Sequence, residues 1–344
     1  MNNKIYLLFA VFFVFSVNSV FSQGCDTDEP SDSGEAPKIK IFGYIQPEFD
    51  YNFNDADENT FRFRRARIGV TGKVLDDFRY YFMLEASPFI GGEDAYLMDA
   101  FVAWEKYNWS RIAMGSFKQP FGREVNTACH SLITIDRAIV SDQLVAPQRD
   151  YGIMVLGGNK YNRLNYAVAL MNGNALKIKD NNKKKDIMGR VSYKLLDFLT
   201  VGGSFRYGYP TNDDDDRTTL GGEVLFELSN FHVQGEYIHD EGEYNRASGG
   251  GCGSEPMELG NERDGAYIMA WYTGWDIQPV FKYEFFDQDL DNKDIPNAYT
   301  EMMTIGANYF FNDKIRLQLN YQSHIETVIN KDNDMFLAQI QVRF

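Results

Sequence analysis

Strict alternation of apolar and polar residues, held for about ten residues at a time, constrains this chain more than any other feature. In the last segment Phe336, Ala338, Ile340, Val342 and Phe344 share one face, and Leu337, Gln339, Gln341 and Arg343 share the other. Ile315, Leu317, Leu319 and Tyr321 likewise oppose Arg316, Gln318, Asn320, Gln322 and His324. Leu199, Val201, Gly203, Phe205 and Tyr207 oppose Thr200, Gly202, Ser204 and Arg206. Period two is the period of a β-strand, and one apolar face beside one wet face means each strand separates two environments. Strands of soluble sandwiches show the same period, but usually over five or six residues.

Sixteen such segments can be traced, near 40–53, 61–73, 77–86, 95–106, 110–119, 150–157, 163–172, 187–196, 198–208, 218–228, 231–241, 265–274, 276–287, 299–311, 314–325 and 335–344. Their connectors alternate between short (Val74-Leu75-Asp76, Asp197, Ser229-Asn230, Asn312-Asp313) and long and polar (119–149, 173–186, 209–217, 242–264, 288–298, 326–334). An even strand count with short turns at one end and long loops at the other predicts an all-β fold: a 16-stranded antiparallel transmembrane β-barrel with short periplasmic turns and long extracellular loops. Lipid offers no hydrogen-bond partners, so a spanning sheet must close on itself. Aromatics are abundant (Phe 27, Tyr 21, Trp 4), and several cluster at strand ends, as interfacial girdles require.

Composition removes the alternatives. Mean hydropathy is −0.39 and no apolar run reaches the roughly 18 residues of a spanning helix, so a helical membrane bundle is excluded. Asp and Glu number 49 against 34 Lys and Arg, which argues against a nucleic-acid-coating surface.

The N-terminus sets the compartment. Lys4, the apolar stretch Ile5 to Val17 and the small-residue end at Ser22 form the layout of a signal peptide over 1–22, with cleavage before Gln23. A competing cleavage would leave Cys25 as a lipid-bearing residue. Residues 23–38 read as a disordered acidic lead-in, and 39–344 as the barrel. Cys129 and Cys252 fall in non-periodic segments, where they form one disulfide or stand as two loop thiols.

If the apolar faces meet lipid, the others line the lumen. The second strand carries its densest charge in Phe61-Arg62-Phe63-Arg64-Arg65-Ala66-Arg67. Ala66, Ile68 and Val70 keep one phase and Phe61 and Phe63 the other, which predicts a bulge near Arg64. Two or three guanidiniums fixed inside the wall would select anions. Alternatively they pair with Glu48, Asp50, Glu85 and Asp99 and brace the wall. The long segment 119–149 folds either into the lumen, as a constriction, or over the surface; it brings Lys118, Arg123, Arg137 and Arg149. These seven cations, Arg64, Arg65 and Arg67 included, are the candidate pore-lining residues.

The stretch GYIQPEFDYNF…FRFRRARIGVTGKV…YYFMLEAS…LMDAFVAW…GSFKQPFGRE…PQRDYGIMVLGG resembles the phosphate-selective porin O and P family. The resemblance implies a 16-stranded outer-membrane porin of a Gram-negative bacterium, a homotrimer passing small anions such as phosphate. Arg64 and Arg65 match the arginine pair that lines the channel in that family. The further channel arginines and lysines of its phosphate-specific members have no match here. A terminal Phe344 resembles the strand end read by the barrel assembly machinery, and lipid and lipopolysaccharide are the expected surroundings.

Two other classes compete. An outer-membrane hydrolase would need a nucleophile with an oriented base, and only His130, His232, His239 and His324 exist. His130, Ser131 and Asp136 are close in sequence, which is weak support for a spatial triad. A non-conducting adhesin or anchor would require the segment 119–149 to fill the lumen. No nucleotide or metal motif is present, so no cofactor is expected.

Overall fold

In the computed structural model the chain is described over residues 39–344, apart from 55–58, 93, 160, 177–178, 245–256, 293–297 and 327–332. The expected signal peptide, the acidic lead-in, Cys25 and Cys252 lie outside the described residues.

Sixteen strands form where the period predicts them: β1 Lys40–Asn52, β2 Thr60–Leu75, β3 Phe78–Glu85, β4 Tyr96–Tyr107, β5 Ser110–Lys118, β6 Arg149–Gly157, β7 Leu164–Met171 and β8 Asp186–Leu196. The second half comprises β9 Leu199–Gly208, β10 Arg217–Leu228, β11 Phe231–Gly242, β12 Glu262–Tyr272, β13 Ile277–Asp287, β14 Tyr299–Phe310, β15 Ile315–Glu326 and β16 Met335–Arg343. Each pairs antiparallel with its chain neighbour, and β1 pairs with β16, so the sheet is a closed barrel with no free edge. Closure is tight where β1 meets the chain end. Gly43 and Phe344 exchange both backbone hydrogen bonds, at 3.1 and 3.0 Å. A Cβ on Gly43 would lie 2.4 Å from the Arg67 carbonyl and 2.6 Å from the Phe344 ring, so only glycine fits.

The two faces separate as the alternation requires. On β16, Leu337, Gln339 and Gln341 are buried inward, whereas Ile340 is exposed outward. The bulge falls at Arg64: Gln46 faces Arg65 and the next residue, Pro47, faces Phe63. Proline has no N–H to give the ladder, which suits it to this position. Arg62, Arg64, Arg65 and Arg67 consequently all turn inward, and Phe61 and Phe63 turn out.

One expectation fails. The inner face is not wet throughout. On β4 to β8, Phe101, Phe117, Met154, Leu156, Met171 and Met188 point inward and pack into one buried cluster with small alanines between them. Those side chains meet one another rather than lumenal water, so apolar residues are favoured on both faces of these strands.

Candidate functional site

Between β5 and β6 the chain leaves the wall and enters the barrel. It carries two short helices, α1 Arg123–Asn126 and α2 Ile139–Leu144. Backbone groups of this loop bond to inward side chains around most of the wall, so the loop lies in the lumen and not over the surface.

Its course can be followed bond by bond. Gly122, at φ 66°, donates its N–H to Ser204 on β9 at 2.9 Å. The N–H groups of Arg123 and Glu124 then converge on the Glu236 carboxylate of β11, at 2.6 and 2.8 Å. These are orphan donors of a helix start, and a wall carboxylate satisfies them. The loop crosses back to β1, β2, β15 and β16, where Arg316 donates to the carbonyls of Leu132 and His130 at 2.8 and 3.2 Å. Asn308 and Asn320 hold Ile133 and Ile135 at 2.9 and 2.8 Å. The start of α2 repeats the device: the N–H groups of Ala138 and Ile139 donate to Glu124 and to Glu284 of β13, at 2.8 and 2.6 Å. Finally Arg217 and Arg206 grip the Ala146 carbonyl at 2.9 and 3.0 Å, and Arg217 also takes the Leu144 carbonyl.

The seven candidate cations end up in different settings. Arg64 is ion-paired to Asp136 of the loop and to Glu48 of the wall. Arg67 pairs with Glu85 at 2.6 Å and also donates to the Tyr44 hydroxyl and the buried Cys129 sulfur. Arg149 pairs with Asp99 at 2.9 Å. Arg65 donates to the neutral Gln46 amide at 2.8 Å. Lys118 donates to the carbonyls of Val125 and Thr127, Arg137 to those of Glu124 and Thr127, and Arg123 to Gln234. Arg64, Arg65 and Arg67 thus share the β1–β2 wall, while Arg123 sits across the lumen at β11 and Lys118 and Arg137 hold the loop from within.

Loop residues titrate abnormally for reasons visible in their surroundings. Burial works to raise Asp136, but Arg64, Gln322, Lys282 and Arg65 together outweigh it, and the carboxyl is held below its usual range. Burial pushes His130 down to about 3, and the cations Arg343, Arg316 and Lys118 push the same way.

Several residues that matter here stand outside the candidate set: Arg316, Arg343, Glu236, Glu284, Arg206 and Arg217. The period placed all but Arg217 on an inward face, and that was the only available signal; Arg217 was expected in the connector 209–217 and instead opens β10. Which of them meets the loop depends on how the loop turns inside the barrel.

A family model described as phosphate-selective porin O and P matches residues 39–224. The chain belongs to that family. It is therefore an outer-membrane porin. Solved structures with this fold include an anion-selective porin from Comamonas acidovorans, at 12% identity and TM-score 0.61 over 90% of this chain and 100% of that one. The outer-membrane channel DcaP of Acinetobacter baumannii gives 10% identity and TM-score 0.65 over 91% and 99%. OmpF of Salmonella typhi gives 13% identity and TM-score 0.62 over 89% and 97%. Identities this low bear on the fold alone. No curated protein matches this porin in sequence.

Proposed function

We propose that this porin passes small anions, phosphate among them, by diffusion past the loop between β5 and β6, and performs no chemistry of its own. The observation that carries the reading is a neutral bridge between two guanidiniums on the β1–β2–β15–β16 wall. Arg65 donates to Gln46 at 2.8 Å, Gln46 donates to Gln341 at 2.7 Å, and Arg316 donates to the same Gln341 oxygen at 3.1 Å. The bridging amides fix the geometry of these guanidiniums and add no negative charge of their own, as a carboxylate bridge would. Fixed cations on a channel wall favour anions. Arg64, Arg67 and Arg149 contribute less to that field, because carboxylates face them.

The absence of catalysis is supported by what the loop does with its polar groups. His130 Nδ1 lies 2.9 Å from Ser131 Oγ, but a group titrating near 3 is a poor general base at neutral pH. Asp136, the nearest acid in sequence, is engaged by Arg64 and Gln322 instead of the imidazole. Assembly as a homotrimer, as in the trimer form of Vibrio cholerae OmpT, completes the reading. So do a cleaved leader over 1–22 and engagement of the assembly machinery by the strand ending in Phe344.

A second reading has its own observation. Gln119, Val125, Ala138, Val140, Gln143 and Leu144 of the loop are all fully buried, which favours a lumen closed at rest. Planar-bilayer recording under a salt gradient, followed by phosphate, tests both. Anion-biased reversal that phosphate blocks, lost in Arg65→Gln with Arg316→Gln, supports the anion channel. A reversal potential unmoved by that pair removes the bridge from selectivity. Absence of conductance from folded barrels favours the closed state.

A further inference from the structure

We propose that the lumen seats a small aromatic carboxylate at the β1–β16 seam, with its ring against Phe42 and its carboxylate on Arg343. The inference rests on the porin reading and names one class of anion that the pore takes up.

A row of rings crosses the inner wall near its short-turn end. Phe42 shares the inward face of β1 with the buried Tyr44 and Gln46. Its ring crosses β2 over Gly69, where a Cβ would overlap it, and reaches Tyr81 of β3 at 5.1 Å between centroids. Tyr81 stacks on Phe101 of β4 at 5.1 Å and 10°, and Phe101 meets Phe117 of β5 edge-on at 6.2 Å. Phe101 and Phe117 are buried in the dry cluster, whereas Phe42 and Tyr81 are half-buried. Tyr81 has a ring neighbour on β1 and another on β4. Phe42, among the described residues, has Tyr81 alone. The seam explains why. Tyr44 faces Arg343 and Gly43 bonds to Phe344, so no residue of β16 stands beside Phe42. The row is open at this end.

The occupant is argued from the charge at that open end. Arg343 is the diagonal neighbour of Phe42 on the same face, one strand over and two residues along, a separation of about 7–8 Å. It is half-buried and gives an N–H to the Asp313 carbonyl at 2.8 Å. Arg316, beside it on β15, is held by Gln341 and by the carbonyls of His130 and Leu132. Among the described residues no carboxylate lies within ion-pair reach of either guanidinium. At the rim of the seam Asp313 adjoins Lys314, and Lys40 opens β1 on the inward face. Farther round, at β2–β4, Lys73 and Arg79 are offset by Glu105, Asp76 and Asp77, so the cationic sector is confined to the seam. A carboxylate borne directly on a ring spans the diagonal: the charge meets Arg343 and the ring continues the row past Phe42. Acetate or phosphate would take the guanidinium alone. A further aromatic pair adds roughly two- to tenfold in affinity.

The test is ligand-observed NMR titration of the folded barrel in detergent with benzoate and with acetate, and chloride conductance recorded on the same preparations. Wild type binds benzoate about fivefold more tightly than acetate, and benzoate blocks chloride current at a correspondingly lower concentration. Phe42→Leu, still apolar but without a ring, brings the ratio of the two affinities close to one. Arg343→Gln weakens both ligands and leaves their ratio unchanged. Heat-modifiable mobility shows that each variant is folded, and the wild-type comparison of the two ligands needs no variant at all. Equal affinity of wild type for benzoate and acetate overturns the proposal. So does an unchanged ratio in folded Phe42→Leu, which would put the aromatic contact elsewhere. Benzoate binding that depends on Phe42, in a barrel that never conducts, would sink the porin reading while sparing this site. Chloride conduction without a benzoate preference would do the reverse.

Discussion

Glu236→Ala should release the lumenal loop, and the size of the effect can be worked out from the hydrogen bonds that this side chain accepts. The Glu236 carboxylate accepts the N–H groups of Arg123 and Glu124 and the Tyr267 hydroxyl, the last at 2.7 Å. Each donor left buried without an acceptor costs about 1–3 kcal/mol. Water admitted by the smaller side chain recovers part of this. The Tyr267 hydroxyl belongs to the wall and loses its acceptor in both states, so at the low end, about 1 kcal/mol for each of the two loop donors, docking of the loop weakens by about 2 kcal/mol. At 1.4 kcal/mol per decade, that raises the released population on the order of 30-fold. Glu236→Gln keeps one acceptor oxygen and turns an amide NH2 toward the other donors, so its effect should be about tenfold. Two assays read the same equilibrium. Trypsin cleavage at Arg123 and Arg137 should accelerate in the order wild type, Gln, Ala. Cleavage at the Lys183–Lys185 run, on a different loop, should stay constant as an internal control. Mean single-channel conductance should rise in the same order. An Ala variant that keeps its heat-modifiable barrel yet shows wild-type cleavage and conductance would refute the clamp.

Three further outcomes are expected. Arg64→Ala with Arg65→Ala should shift the reversal potential toward cations, since Glu48 and Asp136 then face the lumen without Arg64; intact heat-modifiable mobility confirms assembly. His130 is neutral in the folded loop and titrates near 3, against about 6.5 unfolded, so the unfolded form binds the proton first. Stability is full above about pH 6.5 and declines as pH falls toward 3; His130→Gln should flatten this part of the profile in thermal denaturation at pH 7 and pH 4.5. Arg149→Met leaves Asp99 buried without its cation, which costs about 3–5 kcal/mol and should lower the heat-modification temperature. An unchanged temperature would mean water replaces the guanidinium.

Legibility in the sequence follows the range of the forces involved. The alternation of Phe336 to Phe344 is a local property, because successive side chains on a strand point to opposite faces whatever else the chain does. It was enough to locate sixteen strands, their inward and outward residues, and even the bulge at Arg64, where the phase of Phe61 and Phe63 breaks. The pairing of the inner arginines was half legible. Glu48 and Glu85 were candidates to brace them, and they do engage Arg64 and Arg67. Arg65 instead reaches Gln46, a choice that depends on the register between β1 and β2.

The strands, their faces and the closed antiparallel plan are written in the alternation, since a backbone in lipid must satisfy its own hydrogen bonds and period two shows which residues share a face. What occupies the inside is set by contacts between residues far apart in the chain. The segment between β5 and β6 has no period to read, and its backbone groups are satisfied by Glu236, Glu284, Arg316 and Arg217, residues that strand order brings together from distant parts of the chain. The dry cluster of Phe101, Phe117 and Met188 belongs to the same class. Alternation says that these side chains point inward, but whether they meet water or one another depends on how completely the lumen is filled.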